Sequence, residues 1–147
     1  MRRRGRECAL QLLYQLDVLN PLENRAGATD GLNLELADFW DNFEPVQGEE
    51  REFAERLVFG VVRSTEEVDQ AISKASKNWK LPRMANVDRN LLRLACYEIL
   101  FCQDIPRVAS INEAVEIAKR FSGTDGASFI NGILDQLTQE PELNQKS

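Results

Sequence analysis

The sequence predicts an all-α protein of about seven helices arranged as two small bundles packed together, and three observations lead to that fold class. Apolar residues recur at three- and four-residue steps along nearly the whole chain, the signature of helices with one buried face. Alternating β-branched runs are scarce, and only five prolines interrupt 147 residues. At 43% hydrophobic and 29% charged, the chain is long enough to bury a core of ordinary size without disulfide or metal staples.

Each helix follows from local signals. From about residue 3 to 19, Ala9, Leu12, Leu13, Leu16 and Leu19 form a single apolar stripe. Tyr14 and Val18 lie outside it as a second apolar patch, which fits either burial against another helix of the same domain or a partner surface. Residues 20 to 31 carry the turn formers of a loop. A short helix through Leu36, Phe39, Trp40 and Phe43 follows, and a link over 44 to 48 ends it. The third helix, from about 49 to 63, opens on Glu49, Glu50 and Glu52, where the helix dipole favours acids, and turns Phe53, Leu57 and Val61 inward. Ser64 and Glu67 have capping-box spacing, so the next helix runs from there toward Trp79 with Val68, Ile72 and Ala75 inward. Leu81-Pro82 breaks the chain again. The expected organisation is an N-terminal helical subdomain over 1–80, a C-terminal one over 81–140, and a frayed tail over 141–147.

The segment from Val87 to Cys102 is apolar around most of its circumference, with Arg89, Asn90 and Arg93 as a narrow polar side, and is expected to be the most buried helix. Glu98 projects into its apolar arc, which is costly for a carboxylate unless it is paired, so an arginine, lysine or donor cluster is expected opposite. Ser110 and Glu113 form a second capping box. The helix after them places Ile111, Ala114, Val115, Ala118 and Phe121 on one face, with Gly123 as the stop. A last helix, from about 126 to 139 and capped by Asp125, buries Phe129, Ile130, Ile133, Leu134 and Leu137. Gly132 inside it costs about 1 kcal/mol relative to alanine, which suggests close approach of a neighbouring helix or a partner.

Composition excludes several function classes. No histidine is present, which removes the usual general base and the commonest metal ligand. Cys8, Cys96 and Cys102 lie in apolar surroundings without CxxC spacing, as core thiols of a reducing compartment do. No apolar run approaches the length needed to cross a bilayer, and the charged start is unlike a signal peptide, so a cytoplasmic location is expected. Neither catalysis, nor a cofactor, nor a metal is expected.

The charge pattern points to a polyanion. Arg2, Arg3, Arg4 and Arg6 fall within the first six residues of a chain whose formal charge is −6; without those four positives the rest carries −10. Arginine forks pair with phosphates and stack on bases, so the cluster is an electrostatic footprint of nucleic-acid binding. The bland reading is a solvated terminus. Against it, positive charge at a helix N-terminus opposes the macrodipole, so local stability does not explain the cluster. Four phosphates of a single strand neutralised in this way give log affinity against log salt a slope of about −3. The stretch Gly123-Thr124-Asp125-Gly126 lacks the spacing of a phosphate loop and reads as a helix-to-helix turn.

Three stretches together resemble the family of the transcription antitermination factor NusB: RRRGRECALQLLYQ at 2–15, VDRNLLRLACYEI at 87–99, and VASINEAVEIAKRF at 108–121 followed by FINGILDQL at 129–137. The resemblance implies a non-catalytic protein that binds the boxA segment of nascent ribosomal RNA, partners ribosomal protein NusE and joins an antitermination complex on RNA polymerase. It maps RNA contacts onto Arg2, Arg3, Arg4 and Arg6 and onto Asp125 and Phe129, and the partner surface onto Tyr14 and Asp88. Position 88 departs from the glutamate of the family pattern. The same helical unit also resembles the RNA-binding domain of ribosomal RNA cytosine methyltransferases, though the chain has no room for the catalytic domain. An RNA-free helical adaptor, docking a basic protein on the acidic body, is the competing function. A homodimer is left open.

Overall fold

A computed structural model describes residues 2–42, 46, 48–77 and 79–139. Phe43, part of the 44–48 link and the tail expected over 141–147 lie outside the described residues. The described residues form seven α-helices and no strand: α1 (Arg2–Leu19), α2 (Leu32–Asp41), α3 (Glu49–Arg63), α4 (Thr65–Ser76), α5 (Asn86–Phe101), α6 (Arg107–Phe121) and α7 (Gly123–Leu137). They gather into two compact units, Met1–Glu66 and Glu67–Ser147. The division falls within the first turns of α4, and the Leu81-Pro82 break is a short 3-10 turn inside the second unit.

In the first unit α1 packs on α3. The apolar stripe of α1 is buried from Cys8 to Leu16, but Leu19 stands exposed at the helix end, and Tyr14 and Val18 are exposed as well. The expected loop after α1 is a capped turn. Arg25 donates to the carbonyl oxygens of Leu16 (2.7 Å) and Asn20 (3.0 Å), and Asp17 accepts from the Leu22 amide (3.0 Å), so the carbonyls left over at the helix end find partners.

In the second unit α5 packs on α6 and α7, and α6 and α7 pack on each other. On the polar side of α5, Asn90 and Arg93 are buried too, and Arg89 is half-buried. Arg93 is 0% exposed and grips Asp69 of α4 with two parallel bonds, Nε to Oδ1 at 2.8 Å and Nη2 to Oδ2 at 2.9 Å, while Nη1 donates to Asn90 Oδ1 at 3.2 Å. Paired this way, the guanidinium sits in the core without an orphaned charge.

Glu98 has its donor as well: the Ser110 hydroxyl donates to Oε1 at 2.9 Å. Ser110 is therefore a buried interior residue of α6 rather than the N-cap its spacing suggested, and α6 begins at Arg107 after Pro106. The buried face of α6 is correspondingly rotated: Ile117 points inward and Phe121 is exposed. Gly123, at φ +82°, occupies the left-handed position that ends α6. Gly132 has no neighbouring atom within 4 Å of where a Cβ would stand, so no helix among the described residues approaches it.

All three cysteines are buried thiols outside any disulfide. Burial pushes the thiols of Cys8 and Cys96 up, which suits packing and not reactivity.

Replacing Asp69 by alanine strands the buried guanidinium of Arg93 and is expected to cost about 3–5 kcal/mol in urea unfolding. The apolar pair Arg93→Met with Asp69→Leu is expected to recover most of that loss. Equal destabilisation by the single and double variants would show that the pair does not carry the α4–α5 contact.

Candidate nucleic-acid interface

The basic end of the chain is a first helical turn and not a trailing arm. Glycine at position 5 permits this: a Cβ there would stand 2.8 Å from the Glu50 carbonyl oxygen and 3.2 Å from the Phe53 ring. The backbone of α1 thus lies directly against the start of α3. Around that contact Arg6 is only 6% exposed, with its guanidinium 5.2 Å from the centre of the Phe53 ring, and Arg2 approaches the same ring at 4.7 Å. Arg2 and Arg3 are exposed and Arg4 is half-buried, 3.6 Å from Glu7.

The dipole conflict at this helix start is answered locally. Arg2 lines one depression with Glu49, Glu50, Glu52, Phe53 and Arg56, so carboxylates that stabilise the start of α3 also face the cationic turn. Four arginines therefore divide into two kinds. Arg6 is built into the packing of α1 on α3, whereas Arg2 and Arg3 are exposed and Arg4 is half-buried beside Glu7.

The remaining candidate residues divide between the units. In the second unit Asp88, Asp125 and Phe129 line a single depression together with Trp79, Arg83, Met84, Ala85 and Gly126. Asp88 comes from the first turn of α5, and its Oδ1 accepts a 2.5 Å hydrogen bond from the Ser122 hydroxyl. Ser122 is thereby spent on Asp88, and Asp125 stands exposed in the first turn of α7 instead of capping it. Gly126 is needed here, since a Cβ on it would run into the Ser122 side chain. Phe129 is half-buried and meets Trp79 edge to face, ring centres 5.5 Å apart at 81°. Tyr14, 43% exposed, belongs to the first unit with the arginines.

A family model described as NusB family matches residues 3–139. The chain belongs to the NusB family. The transcription antitermination protein NusB of Geobacter sulfurreducens is 49% identical over 136 residues, covering 92% of each chain. That of Trichlorobacter lovleyi is 45% identical over 148 residues, covering 100% of this chain and 96% of its own. Among solved structures, NusB of T. maritima superposes with a TM-score of 0.80 at 34% identity, covering 99% of this chain and 97% of that one. A structure of antitermination factors NusB and NusE with double-stranded RNA has a TM-score of 0.77 at 23% identity, covering 94% of this chain and 96% of that one, and shows the shared fold. NusB-family antitermination factors are not enzymes, and neither is this chain. No helix among the described residues is long and apolar enough to cross a membrane.

Sequence reasoning missed three residues of these two regions. Gly5 was an unremarked residue inside a charge cluster, although a glycine within a helix marks close backbone approach. Trp79 was read as the end of a helix, and Arg83 was not singled out. A tryptophan beside a proline break, with no helical face to bury it, was the available signal.

Gly5→Ala forces α1 and α3 apart, and the expected cost is about 1–3 kcal/mol, read as a lower unfolding midpoint. An unchanged midpoint would show that the close approach at Gly5 is not needed.

Proposed function

We propose that this chain is a cytoplasmic RNA-binding antitermination factor that recognises a boxA-type single strand of ribosomal RNA transcripts together with ribosomal protein NusE, within an antitermination complex on RNA polymerase. The observation that carries the reading is the cationic turn of exposed Arg2 and Arg3 and half-buried Arg4 on a chain whose remaining charge is strongly negative. Phosphates are its natural ligand, because a planar fork of donors matches their oxygens and helix packing holds the turn in place. Arg6 contributes by fixing that turn on Phe53.

Asp125 and Phe129 serve as further RNA contacts, and Tyr14 and Asp88 as the partner surface. The exposure of Tyr14 and Val18 on α1 supports a protein partner there, since among the described residues of the first unit nothing covers them. A fold neighbour solved as NusB and NusE with double-stranded RNA supports the pairing of RNA with NusE as partners.

Fluorescence anisotropy with a labelled boxA-like single strand, with and without NusE, tests the proposal. The variant Arg2→Ala, Arg3→Ala is expected to bind at least about fivefold more weakly at low salt, with its unfolding midpoint changed little because both side chains are exposed. Arg4 is left in place because it pairs with buried Glu7. Binding of NusE with indifference of RNA affinity to the two substitutions would favour the RNA-free adaptor.

A further inference from the structure

We propose that the carboxylates of Glu49, Glu50 and Glu52 act as an intramolecular counter-ligand for Arg2, which an RNA phosphate must displace, so that the chain holds a strand firmly only when a second contact adds to the cationic turn. The inference rests on the RNA-binding reading above and adds a built-in restraint to it.

Three observations, all within the first unit, set the carboxylates against the arginine. Arg2 lies over the Phe53 ring, its guanidinium 4.7 Å from the ring centre. Glu49 and Glu50 precede Phe53 by four and three residues on α3, the spacings at which helix side chains are neighbours, so both flank the ring that carries the guanidinium. All three glutamates line one depression with Arg2, Phe53 and Arg56, which sets three carboxylates against two guanidiniums. The close approach at Gly5 holds the two helix starts together, so the opposition is part of the folded chain.

The stability of α3 does not by itself call for so many acids. The first turns of α2, α5 and α7 carry one acid each and that of α6 carries none, whereas α3 carries three. An acid at a helix start is favoured by the dipole wherever that start lies. Here the surplus stands where the chain gathers its cations, with Glu49 and Glu52 exposed and Glu50 half-buried.

The consequence follows from what all RNA strands share. Attraction to the phosphodiester backbone is independent of sequence, so an unopposed cationic turn would keep the chain on any transcript. Carboxylates beside the turn remove a fixed part of that common attraction, a repulsive element aimed at the wrong partners. A strand that offers phosphates alone then binds weakly, while one that adds a base contact or a bound partner protein stays in place.

The test compares the full chain with the variant Glu49→Gln, Glu52→Gln, using a labelled oligouridine as a strand that offers phosphates without a varied base sequence. The variant is expected to bind about fivefold more tightly at low salt, and the gain should shrink toward about twofold as salt screens these exposed charges. Asp30→Asn with Glu66→Gln removes the same charge from exposed positions of the first unit that do not line the depression, and is expected to change affinity by less than about twofold. In a chain that also carries Arg2→Ala, the gain from the two glutamines is expected to fall below about twofold, because the group they release is gone.

Unchanged affinity in the glutamine variant, with or without a lower unfolding midpoint, would confine the glutamates to the start of α3 and overturn the inference. Equal tightening by the Asp30 and Glu66 substitutions would do the same by making net charge the cause. A gain that persists in full beside Arg2→Ala would also overturn it, since the carboxylates would then repel RNA without holding Arg2. In all three cases oligouridine still binds and the RNA-binding reading stands. If neither oligouridine nor a boxA-like strand binds the unsubstituted chain or the variant, both fail.

Discussion

The contact between Gly5 of α1 and the start of α3 is the constraint from which the proposed RNA surface follows. Without a Cβ at position 5, the backbone of α1 reaches the Glu50 carbonyl and brings Arg2 and Arg6 onto the face of Phe53. A charge cluster that would otherwise be a frayed terminus becomes the first turn of a packed helix. That ordering lowers the entropy a ligand must remove on binding, because the arginines are already gathered when a phosphate arrives. It also has a cost, since carboxylates at the start of α3 face the same turn and any polyanion must compete with them.

The second unit depends on buried charge in a comparable way. Arg93 and Asp69 tie α5 to α4, and the Ser110 hydroxyl satisfies Glu98 where α6 crosses α5. These polar contacts specify how the helices register, since each buried group tolerates only the arrangement that supplies its partner. With α5 fixed, Asp88 at its first turn meets Ser122 ahead of α7, and the depression containing Trp79, Asp125 and Phe129 is assembled from three separate parts of the chain.

Most of the fold was legible in the sequence because apolar periodicity is a direct record of burial. The α3 span, the inward faces of α4 and α7, and the family carried by three motifs were all readable before any coordinates. What escaped were the places where a side chain had two possible employers. Ser110 looks like a helix cap and Asp125 like another, yet Ser110 donates to Glu98 and Ser122 to Asp88, and sequence spacing cannot see a partner 12 or 34 residues away. Arg6 looked like its three neighbours in a charge count, and only the position of Phe53 distinguishes it. Asp125 and Phe129 came from the family pattern, whereas Trp79 beside them required the folded chain.

The account holds that outward-facing arginines of the α1 first turn neutralise RNA phosphates while Arg6 remains in the packing. The most direct measurement is the slope of log affinity against log salt for a boxA-like single strand. Three phosphate contacts give a slope of about −2. A slope near zero would contradict the electrostatic grip altogether, and a slope near −3 would show that Arg6 leaves Phe53 to join the other three.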